Sequence, residues 1–459
     1  MAFRSINPAT GALLKEYPFQ SDDDIFAALK VADHCFQTDW KLRPTAERAG
    51  LVGRAAEILR QRREEYAHLL TTEMGKVVSQ ALYEVDFTAD ILAYYARHAD
   101  AFLSPKALPE AADAVVVTQP IGVILAIEPW NFPYYQIARV AAPQIAAGNA
   151  VMIKQAQEVP QCALAFARLF EDAGAPPGVY TNLFCSIEQV DKLIDDFTVR
   201  AVTLTGSERA GASVAERAGR NLKKVVLELG GSDPAIVLED APMEFAVNQC
   251  AFGRLINNGQ ACASIKRMIV VGRSRGEAIL KMLVEHYSGL QIGDPADPAT
   301  AIGPLVSERA VEGLVAQIEG ARLAGARVVL GGRRVSRPGY YLEPTIITDI
   351  AEDNPLFQQE AFGPVMSFYV VDTEAEAIRL ANATKFGLGS SVFSADVEHA
   401  KRVAEQLDAG MVFINSFANA GPEMPWGGVK NSGFGRELSE LGIGEFVNRK
   451  LVSVTEIPR

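Results

Sequence analysis

Residues 228–262 read ELGGSDPAIVLEDAPMEFAVNQCAFGRLINNGQAC and place a carboxylate and a thiol at the ends of two predicted elements. Glu228 closes an apolar, strand-like run and precedes two glycines. Cys262 follows a helical segment and a loop-forming run at 257–260. A thiol nucleophile and a nearby general base indicate covalent catalysis. Taken singly, each residue is more often structural, as a solvated strand end or as a buried cysteine that fills an apolar core.

Predicted strands and helices alternate on both sides of this segment. Before it, we predict strands over 123–127, 150–153 and 201–205, with helices over 160–173 and 210–220. After it, we predict strands over 268–271, 328–330, 365–371 and 411–415, with helices over 278–287, 374–382 and 397–407. This alternation is typical of parallel, doubly wound sheets, so the sequence predicts an α/β fold with two such domains.

The N-terminal region is predicted to be helical. Ser21 and the three aspartates after it form a helix start, and the helix runs to about residue 36. Apolar periodicity predicts one long amphipathic helix over 45–72 and another over 85–102. Two β-rich segments, 114–122 and 450–456, read as exposed strands that need a partner.

Composition narrows the class of protein. A chain of 459 residues is long enough for two or three domains. Its formal net charge of −12 argues against nucleic acid or an anionic membrane as the principal partner. The five cysteines are scattered without metal-ligand spacing, which predicts neither a disulfide framework nor a metal site. With no apolar leader and no membrane-length apolar run, we expect a cytoplasmic protein.

Five short motifs, in the right order along the chain, carry a resemblance to a known family. They are PWNFP at 129–133, ELGG at 228–231, NGQAC at 258–262, EAFGP at 360–364 and PWGG at 425–428. With them the chain resembles the aldehyde dehydrogenase superfamily over essentially its whole length, and most closely the bacterial succinate semialdehyde dehydrogenases. The resemblance implies a coenzyme-binding domain over 1–103 and 122–229, a catalytic domain over 230–428, and a small β oligomerisation domain from 104–121 and 445–459.

The resemblance also implies the roles of three catalytic residues. Cys262 would attack the aldehyde, because the thiohemiacetal that forms can release hydride to a nicotinamide. Asn131 and the backbone N–H of Cys262 would stabilise the oxyanion. Glu228 would activate the water that hydrolyses the thioester, which favours release of the free acid over transfer to coenzyme A.

The coenzyme site lacks the usual GxGxxG fingerprint. Residues 205–211, TGSERAG, instead form a glycine-containing turn between a predicted strand and a helix. Such a turn can present backbone N–H groups and a helix N-terminus to a pyrophosphate, although a plain capped turn is the alternative. The resemblance makes Gly206 and Ser207 candidates for this contact.

Other coenzyme contacts are implied by the resemblance. Lys154, at the carboxyl end of a predicted strand, would bind the adenosine ribose; the alternative is an ordinary strand-end lysine. Glu360 would hold the nicotinamide ribose and Phe362 would pack beside it. The nicotinamide pocket would be lined by Ile127 and Trp130, and Leu229 is a further candidate for coenzyme binding.

Coenzyme choice is predicted from Gln157. Many NAD-preferring relatives carry a glutamate three residues after the lysine, and a carboxylate there repels the 2′-phosphate of NADP. Here the residue is a neutral glutamine, which both donates and accepts hydrogen bonds. We therefore predict that NADP is preferred and that NAD is also used. The alternative is that Gln157 faces away and other loop residues decide.

The substrate end is predicted from Arg139, a single charge on an apolar and aromatic stretch. Such a guanidinium needs either a buried acid or a ligand. The resemblance implies that it meets the substrate carboxylate. Some relatives have a second arginine six residues before the cysteine, but Ile256 occupies that place and Arg254 lies two residues earlier. This difference argues against a two-arginine clamp, while Asn419 is expected to add a hydrogen bond.

The sequence therefore predicts NAD(P)-dependent oxidation of a short aldehyde that carries a carboxylate, with succinate semialdehyde as the first candidate. The partner would be this small molecule, and the protein would form a homodimer or homotetramer. Two alternatives stay open: a dehydrogenase for uncharged aldehydes, and a catalytically silent member of the fold.

Overall fold

The computed structural model describes residues 2–111, 113–455 and 457. Residues 1, 112, 456, 458 and 459, which belong to segments predicted above, lie outside the described residues. The helices are α1 Asp22–Thr38, α2 Thr45–Gln61, α3 Arg63–Leu69, α4 Val78–Leu103, α5 Pro133–Ala147, α6 Pro160–Asp172, α7 Ile187–Asp195, α8 Glu208–Arg220, α9 Met243–Leu255, α10 Arg273–Ser288, α11 Glu308–Leu323, α12 Glu374–Asn382, α13 Val397–Ala404 and α14 Ser439–Ile443. The strands are β1 Ala2–Asn7, β2 Ala12–Pro18, β3 Lys106–Ala107, β4 Ala114–Pro120, β5 Val123–Ile127, β6 Ala150–Lys154, β7 Tyr180–Asn182, β8 Val199–Thr205, β9 Lys224–Glu228, β10 Asp233–Val237, β11 Ile265–Val271, β12 Arg327–Leu330, β13 Thr345–Thr348, β14 Val365–Val371, β15 Phe386–Gly387, β16 Gly389–Phe393, β17 Met411–Ile414, β18 Val429–Lys430, β19 Gly433–Phe434 and β20 Val447–Ser453.

The first large sheet has six strands in the order β19-β9-β8-β5-β6-β7. The five strands β9, β8, β5, β6 and β7 run parallel to one another, and β19 pairs antiparallel with β9. The chain starts at β5, builds outward through β6 and β7, and then returns to β8 and β9 on the other side. The strand order therefore reverses between β5 and β8, and the carboxyl ends of these two strands open the crevice where such sheets bind ligands.

Side chains that alternate along each strand pack against helices on both faces of this sheet. Ile124 and Ala126 of β5 pack with α2, α4 and α5, while Val123 and Leu125 of the same strand pack with α1, α7 and α8. Parallel sheets covered by helices on both faces have nearly continuous apolar strands. The three strands predicted here are confirmed for that reason.

The second large sheet has seven strands in the order β12-β13-β14-β11-β10-β16-β17. All its pairs are parallel except β12 with β13. The predicted α/β class with two doubly wound sheets is confirmed. Strands β10, β13 and β16 were not predicted. Pro234 interrupts the apolar run in β10, and β16 begins with a glycine and two serines, so both lack the usual strand composition.

The predicted single helix over 45–72 is wrong. Helix α2 ends at Gln61, Arg62 leaves helical geometry at φ −104°, and α3 begins at Arg63. A π-helical turn, Leu70–Met74, then follows. Apolar residues keep helical spacing through the break, since Leu59 and Tyr66 are both buried. The periodicity alone therefore could not reveal it.

A small third sheet has the order β20-β4-β3, with antiparallel pairs. In the described part of the chain, β20 has no strand on its other side, and Leu451 of β20 is 60% exposed. The pairing of β4 with β20 brings together the two predicted segments 104–121 and 445–459, whose assignment as a separate domain stays a prediction, as do the other domain boundaries. Among the described residues, no helix is both long and apolar enough to span a membrane.

Candidate active site

The loop before Cys262 has an unusual backbone. Asn257, Asn258 and Gly259 have φ values of 54°, 55° and 76°, so three successive residues are left-handed. Asparagine tolerates this conformation better than most residues. At Gly259 a Cβ would lie 2.3 Å from the backbone of Gly363, so only glycine fits. The side chain of Asn258 then accepts from the Gly303 N–H at 2.7 Å, which fixes the loop against a neighbouring segment.

Arg254 anchors the same loop from inside the protein. Its Nη1 donates to Ser264 Oγ at 2.9 Å, and its Nη2 donates to the carbonyls of Gly259 at 2.8 Å and Ala361 at 3.0 Å. Burial lowers the pKa of Arg254 to about 10. The side chain is fully buried and holds the cysteine loop to the 360–364 loop. It does not supply a second arginine to the substrate pocket.

Asn131 lies directly beside the cysteine loop. Its Nδ2 donates to the Gln260 carbonyl at 3.0 Å, and its own carbonyl accepts from Asn257 Nδ2 at 2.8 Å. A side-chain amide has two N–H groups, so one remains for a ligand. The structure thus brings the predicted oxyanion donor next to the predicted nucleophile.

Cys262 is partly exposed, and burial of the thiol raises its pKa to about 11. The positive charges of Arg139 and Lys266 oppose this shift, whereas the negative charges of Glu228 and Glu360 add to it. The thiol is therefore protonated at neutral pH in this state. Its reactivity depends on the balance of the four charges around it.

Glu228 is the last residue of β9 and is only 2% exposed. Among the described residues, neither of its carboxylate oxygens has a hydrogen-bond partner. Burial raises its pKa to about 8, the charge of Glu437 adds to the increase, and Arg139 and Arg436 oppose it. A carboxyl group with a pKa near the working pH can both take and return a proton, as a general base must.

The surroundings of Arg139 differ from those predicted from the sequence. Its side chain is buried, and its Nε lies 2.7 Å from Oε2 of Glu437. Burial is the largest single influence and lowers its pKa, but the charge of Glu437, with smaller contributions from Tyr135, Glu228 and Cys262, outweighs it, so the pKa is raised. The guanidinium carbon lies 4.8 Å from the ring of Tyr135 and 5.9 Å from that of Trp426. The fold therefore gives Arg139 a buried acid, Glu437, as its partner, which was the alternative to a substrate carboxylate.

A cavity of about 490 Å³ opens next to Cys262. It is lined mainly by apolar and aromatic side chains, with a few polar ones: Ser79, Gln80, Tyr83, Glu84, Phe87, Phe132, Tyr135, Gln136, Phe252, Gly253, Ile256, Ala261, Cys262, Ala263, Phe417, Ala418, Asn419, Ala420 and Trp426. Asn419 therefore lies where the sequence predicted it. Arg139 does not line this cavity, but it contacts Tyr135, Gln136 and Trp426, which do.

Three of the predicted coenzyme residues make contacts at the 360–364 loop, which Arg254 joins to the cysteine loop. The rings of Trp130 and Phe362 meet edge to face, with centroids 5.6 Å apart. Glu360 accepts from the Gly231 N–H at 3.1 Å, and the same oxygen lies 3.0 Å from Nζ of Lys266. The sequence analysis missed Lys266. A lysine inside a buried strand was the signal that could have found it.

The predicted phosphate turn lies at the carboxyl end of β8, where the strand order reverses. Ser207 is the N-cap of α8, and its hydroxyl accepts from the Ala210 N–H at 3.3 Å. The Gly206 N–H donates to the Glu228 carbonyl at 2.9 Å, which ties this turn to the catalytic strand. Leu229 packs closely on α8, because a Cβ on Gly211 would lie 2.7 Å from it. The turn is thus a capped helix start, which was the alternative to a pyrophosphate-binding turn, and it also faces the crevice.

Lys154 is the last residue of β6, and Gln157 follows it at the same edge of the sheet. Burial lowers the pKa of Lys154, whose Nζ lies 5.7 Å from the ring centroid of Phe3. Gln157 has an exposed side chain. Ile127 ends β5 beside them. A helix N-terminus, a lysine and an uncharged exposed amide along one crevice fit a dinucleotide that carries an extra phosphate.

Comparisons with known proteins agree with this arrangement. The model of the aldehyde dehydrogenase family matches residues 1–452. An NADP(+) succinate-semialdehyde dehydrogenase of Deinococcus radiodurans is 49% identical over 98% of this chain and 94% of its own length. A probable enzyme of the same name from Synechocystis is 43% identical over 98% of this chain and 99% of its own. The crystal structure of the succinic semialdehyde dehydrogenase of Streptococcus pyogenes with NADP+ superposes with a TM-score of 0.97, at 43% identity, and covers 99% of this chain and 100% of that one.

Proposed function

Since this chain belongs to the aldehyde dehydrogenase family, we propose that it oxidises succinate semialdehyde to succinate, with NADP preferred over NAD. The names of the relatives at 43–49% identity support the substrate and the coenzyme. The observation that carries the proposal is the position of Cys262. It lines the cavity of about 490 Å³, and Lys266 Nζ joins its carbonyl to the carboxylate of Glu360.

The residues of the chain account for each step of the reaction. The thiol of Cys262 gives up its proton to solvent, Sγ adds to the aldehyde carbon, and the amide of Asn131 and the N–H of Cys262 donate to the oxygen that becomes negative. The nicotinamide coenzyme, when bound, accepts the hydride that leaves the resulting thiohemiacetal. Glu228 then takes a proton from water, the water oxygen attacks the thioester carbon, and the carbon–sulfur bond breaks to release the acid.

Recognition of the substrate carboxylate is proposed to involve Arg139 through Gln136. Nη2 of Arg139 donates to Oε1 of Gln136. This contact sets the orientation of the amide, so that its N–H groups are left to donate to a ligand in the cavity that Gln136 lines. The positive charge of Arg139 adds a favourable field from behind Tyr135 and Trp426. Asn419, which is exposed on the other side of the cavity, is proposed as a second donor.

NADP use is proposed from Lys154 and Gln157. The exposed side chain of Gln157 carries no negative charge that would repel a 2′-phosphate. Lys154 is held at the strand end nearby, with Gly206 and Ser207 at the pyrophosphate. This proposal agrees with the NADP+ bound in the structure from Streptococcus pyogenes.

A homodimer or homotetramer is proposed from two strand edges. The free edge of β20 exposes the apolar side chains of Leu451 and Val452. Strand β17 is the last strand of the seven-stranded sheet, and no strand in the described part of the chain pairs with its outer edge. Exposed strand edges pair readily with a second copy. The mass in solution, from light scattering after gel filtration, tests this directly.

Five free cysteines are also consistent with a reducing compartment, for which the cytoplasm is our proposal.

A second candidate function is oxidation of uncharged aldehydes, which the mainly apolar cavity and the buried position of Arg139 favour. Absorbance at 340 nm separates the two candidates, with succinate semialdehyde and butanal as length-matched substrates and NADP or NAD as coenzyme. We expect the highest kcat/KM with succinate semialdehyde and NADP, and no turnover in Cys262→Ala. A preference for butanal would favour the second candidate, and no turnover with any aldehyde would indicate a silent member of the fold.

A further inference from the structure

Lys266 is a buried lysine at the start of β11 that no step above uses. Its Nζ donates to the Ala261 carbonyl at 2.9 Å and to the Cys262 carbonyl, and lies 3.0 Å from Oε1 of Glu360. An ammonium group has three N–H donors. All of them are therefore occupied, and they join the nucleophile loop to the proposed ribose-binding carboxylate.

We propose that Lys266 is a positioning residue that aims the Cys262 peptide and thiol at the substrate and couples them to Glu360 on the coenzyme side. This inference rests on the proposed function, because it assigns Lys266 a part in the chemistry of Cys262.

The direction of the peptide bond between Ala261 and Cys262 supports this role. The Ala261 carbonyl and the Cys262 N–H belong to one trans peptide, in which the two groups point in opposite directions. Lys266 and the hydroxyl of Ser264 together hold the carbonyl on the β11 side, so the N–H points away from β11. In the described part of the chain, this N–H donates to no acceptor. A cation on the carbonyl also strengthens the N–H as a donor, since linked hydrogen bonds polarise one another. Lys266 thereby prepares the second oxyanion donor.

The balance of charges around the Cys262 thiol also supports this role. Four charged groups act on Cys262, each from a different element: Arg139 from α5, Lys266 from β11, Glu228 from β9 and Glu360 from the 360–364 loop. Burial is the largest influence and raises the pKa of Cys262. The two cations lower this pKa, and the two carboxylates raise it further. Loss of Lys266 removes one cation and leaves the charge of Glu360 without its partner. The thiolate then becomes harder to form.

Arg267, the next residue on β11, provides a matched control. It is also a buried cation bound to backbone carbonyls, those of Ser232, Leu380 and Ala381, each at 2.8 Å. Side chains alternate along a strand, so Arg267 points to the opposite face. It is not among the groups that act on the pKa of Cys262. Loss of Arg267 thus perturbs the same strand without touching the cysteine loop.

The test is the pH dependence of the rate at which iodoacetamide alkylates Cys262, followed by intact mass. The other four cysteines are buried, and Cys262→Ala gives the background. For Lys266→Met we expect the midpoint to move to higher pH and the rate at pH 8 to fall about tenfold, the effect of one pKa unit. Glu360→Gln should move the midpoint to lower pH, Lys266→Arg should restore it, and Arg267→Met should leave it unchanged.

Opposite shifts in Lys266→Met and Glu360→Gln support the inference, because a purely structural lesion would not reverse sign. Equal midpoints in wild type and Lys266→Met, or the same upward shift in Arg267→Met, would overturn it. If Lys266→Met does not fold, Glu360→Gln removes the same ion pair from a partly exposed residue, and an unchanged or higher midpoint there overturns the inference. The assay needs neither aldehyde nor coenzyme, so its outcome is independent of the proposed substrate.

Discussion

The side-chain amide of Asn131 donates to the backbone carbonyl of Gln260 at 3.0 Å. This bond joins the loop after β5 to the loop before Cys262, although the two residues are 129 positions apart in the chain. The six-stranded sheet and the loop that precedes Cys262 are thereby fixed to each other. The remaining N–H of Asn131 is free to meet a substrate oxygen, which is the arrangement that acyl transfer needs.

We predict that steady-state turnover rises with pH through a midpoint near pH 8 and levels off above it. Burial and the charge of Glu437 raise the pKa of Glu228 to about 8, so the group is a neutral acid below that pH and a base above it. The measurement is kcat from about pH 6 to 9 with saturating substrate and coenzyme.

Glu228→Gln is the control for this pH profile, since the variant cannot titrate at that position. The rise near pH 8 should disappear in it. If the variant keeps the same rise, the titrating group is not Glu228.

We predict that Arg139→Ala destabilises the protein. The variant would leave Glu437 buried without its partner, and breaking a buried ion pair in this way typically costs about 3–5 kcal/mol. Urea unfolding of wild type, Arg139→Ala and the charge-preserving Arg139→Lys measures the change.

The same Arg139 variants decide between the two readings of that residue. Unchanged stability, together with a selective rise in KM for succinate semialdehyde of about 10- to 150-fold, would indicate a direct contact with the carboxylate. The structure instead predicts loss of stability in Arg139→Ala. Gln136→Leu, which keeps the ion pair, should raise KM for succinate semialdehyde but not for butanal.

We predict that Gln157→Glu shifts coenzyme preference toward NAD. The new carboxylate would repel the 2′-phosphate and accept from the ribose hydroxyls, so the ratio of kcat/KM values should move by about tenfold or more, as about 1.4 kcal/mol gives. Gln157→Leu removes the amide without adding charge and serves as the control. An unchanged ratio in Gln157→Glu would mean that other loop residues decide.

Much of the fold could be predicted because buried parallel strands such as Ala150–Lys154 are continuous apolar runs. The sequence did not reveal β10 or β16, since Pro234 and the Gly-Ser-Ser start of β16 are atypical of strands, and only burial between helices stabilises them there. Tertiary packing overrides local preference at such positions.

The site was predictable only where residues are adjacent in the motifs. Cys262, Asn131 and Glu360 lie in short recognisable stretches. The partners that set their chemistry do not: Glu437 reaches Arg139, and Lys266 reaches Glu360, only after the chain has folded. No local pattern encodes these pairs, so a sequence can suggest that Arg139 needs an acid without showing which one.

The most direct test of the account is the intact mass of Glu228→Gln after mixing with succinate semialdehyde and NADP. Without the base for hydrolysis, the proposed thioester should accumulate after a burst of reduced coenzyme. We predict that the protein gains the mass of one succinyl group, located by digestion on the peptide that contains Cys262. A full burst of reduced coenzyme with the protein unmodified, or the succinyl group on another residue, would contradict the covalent route through Cys262.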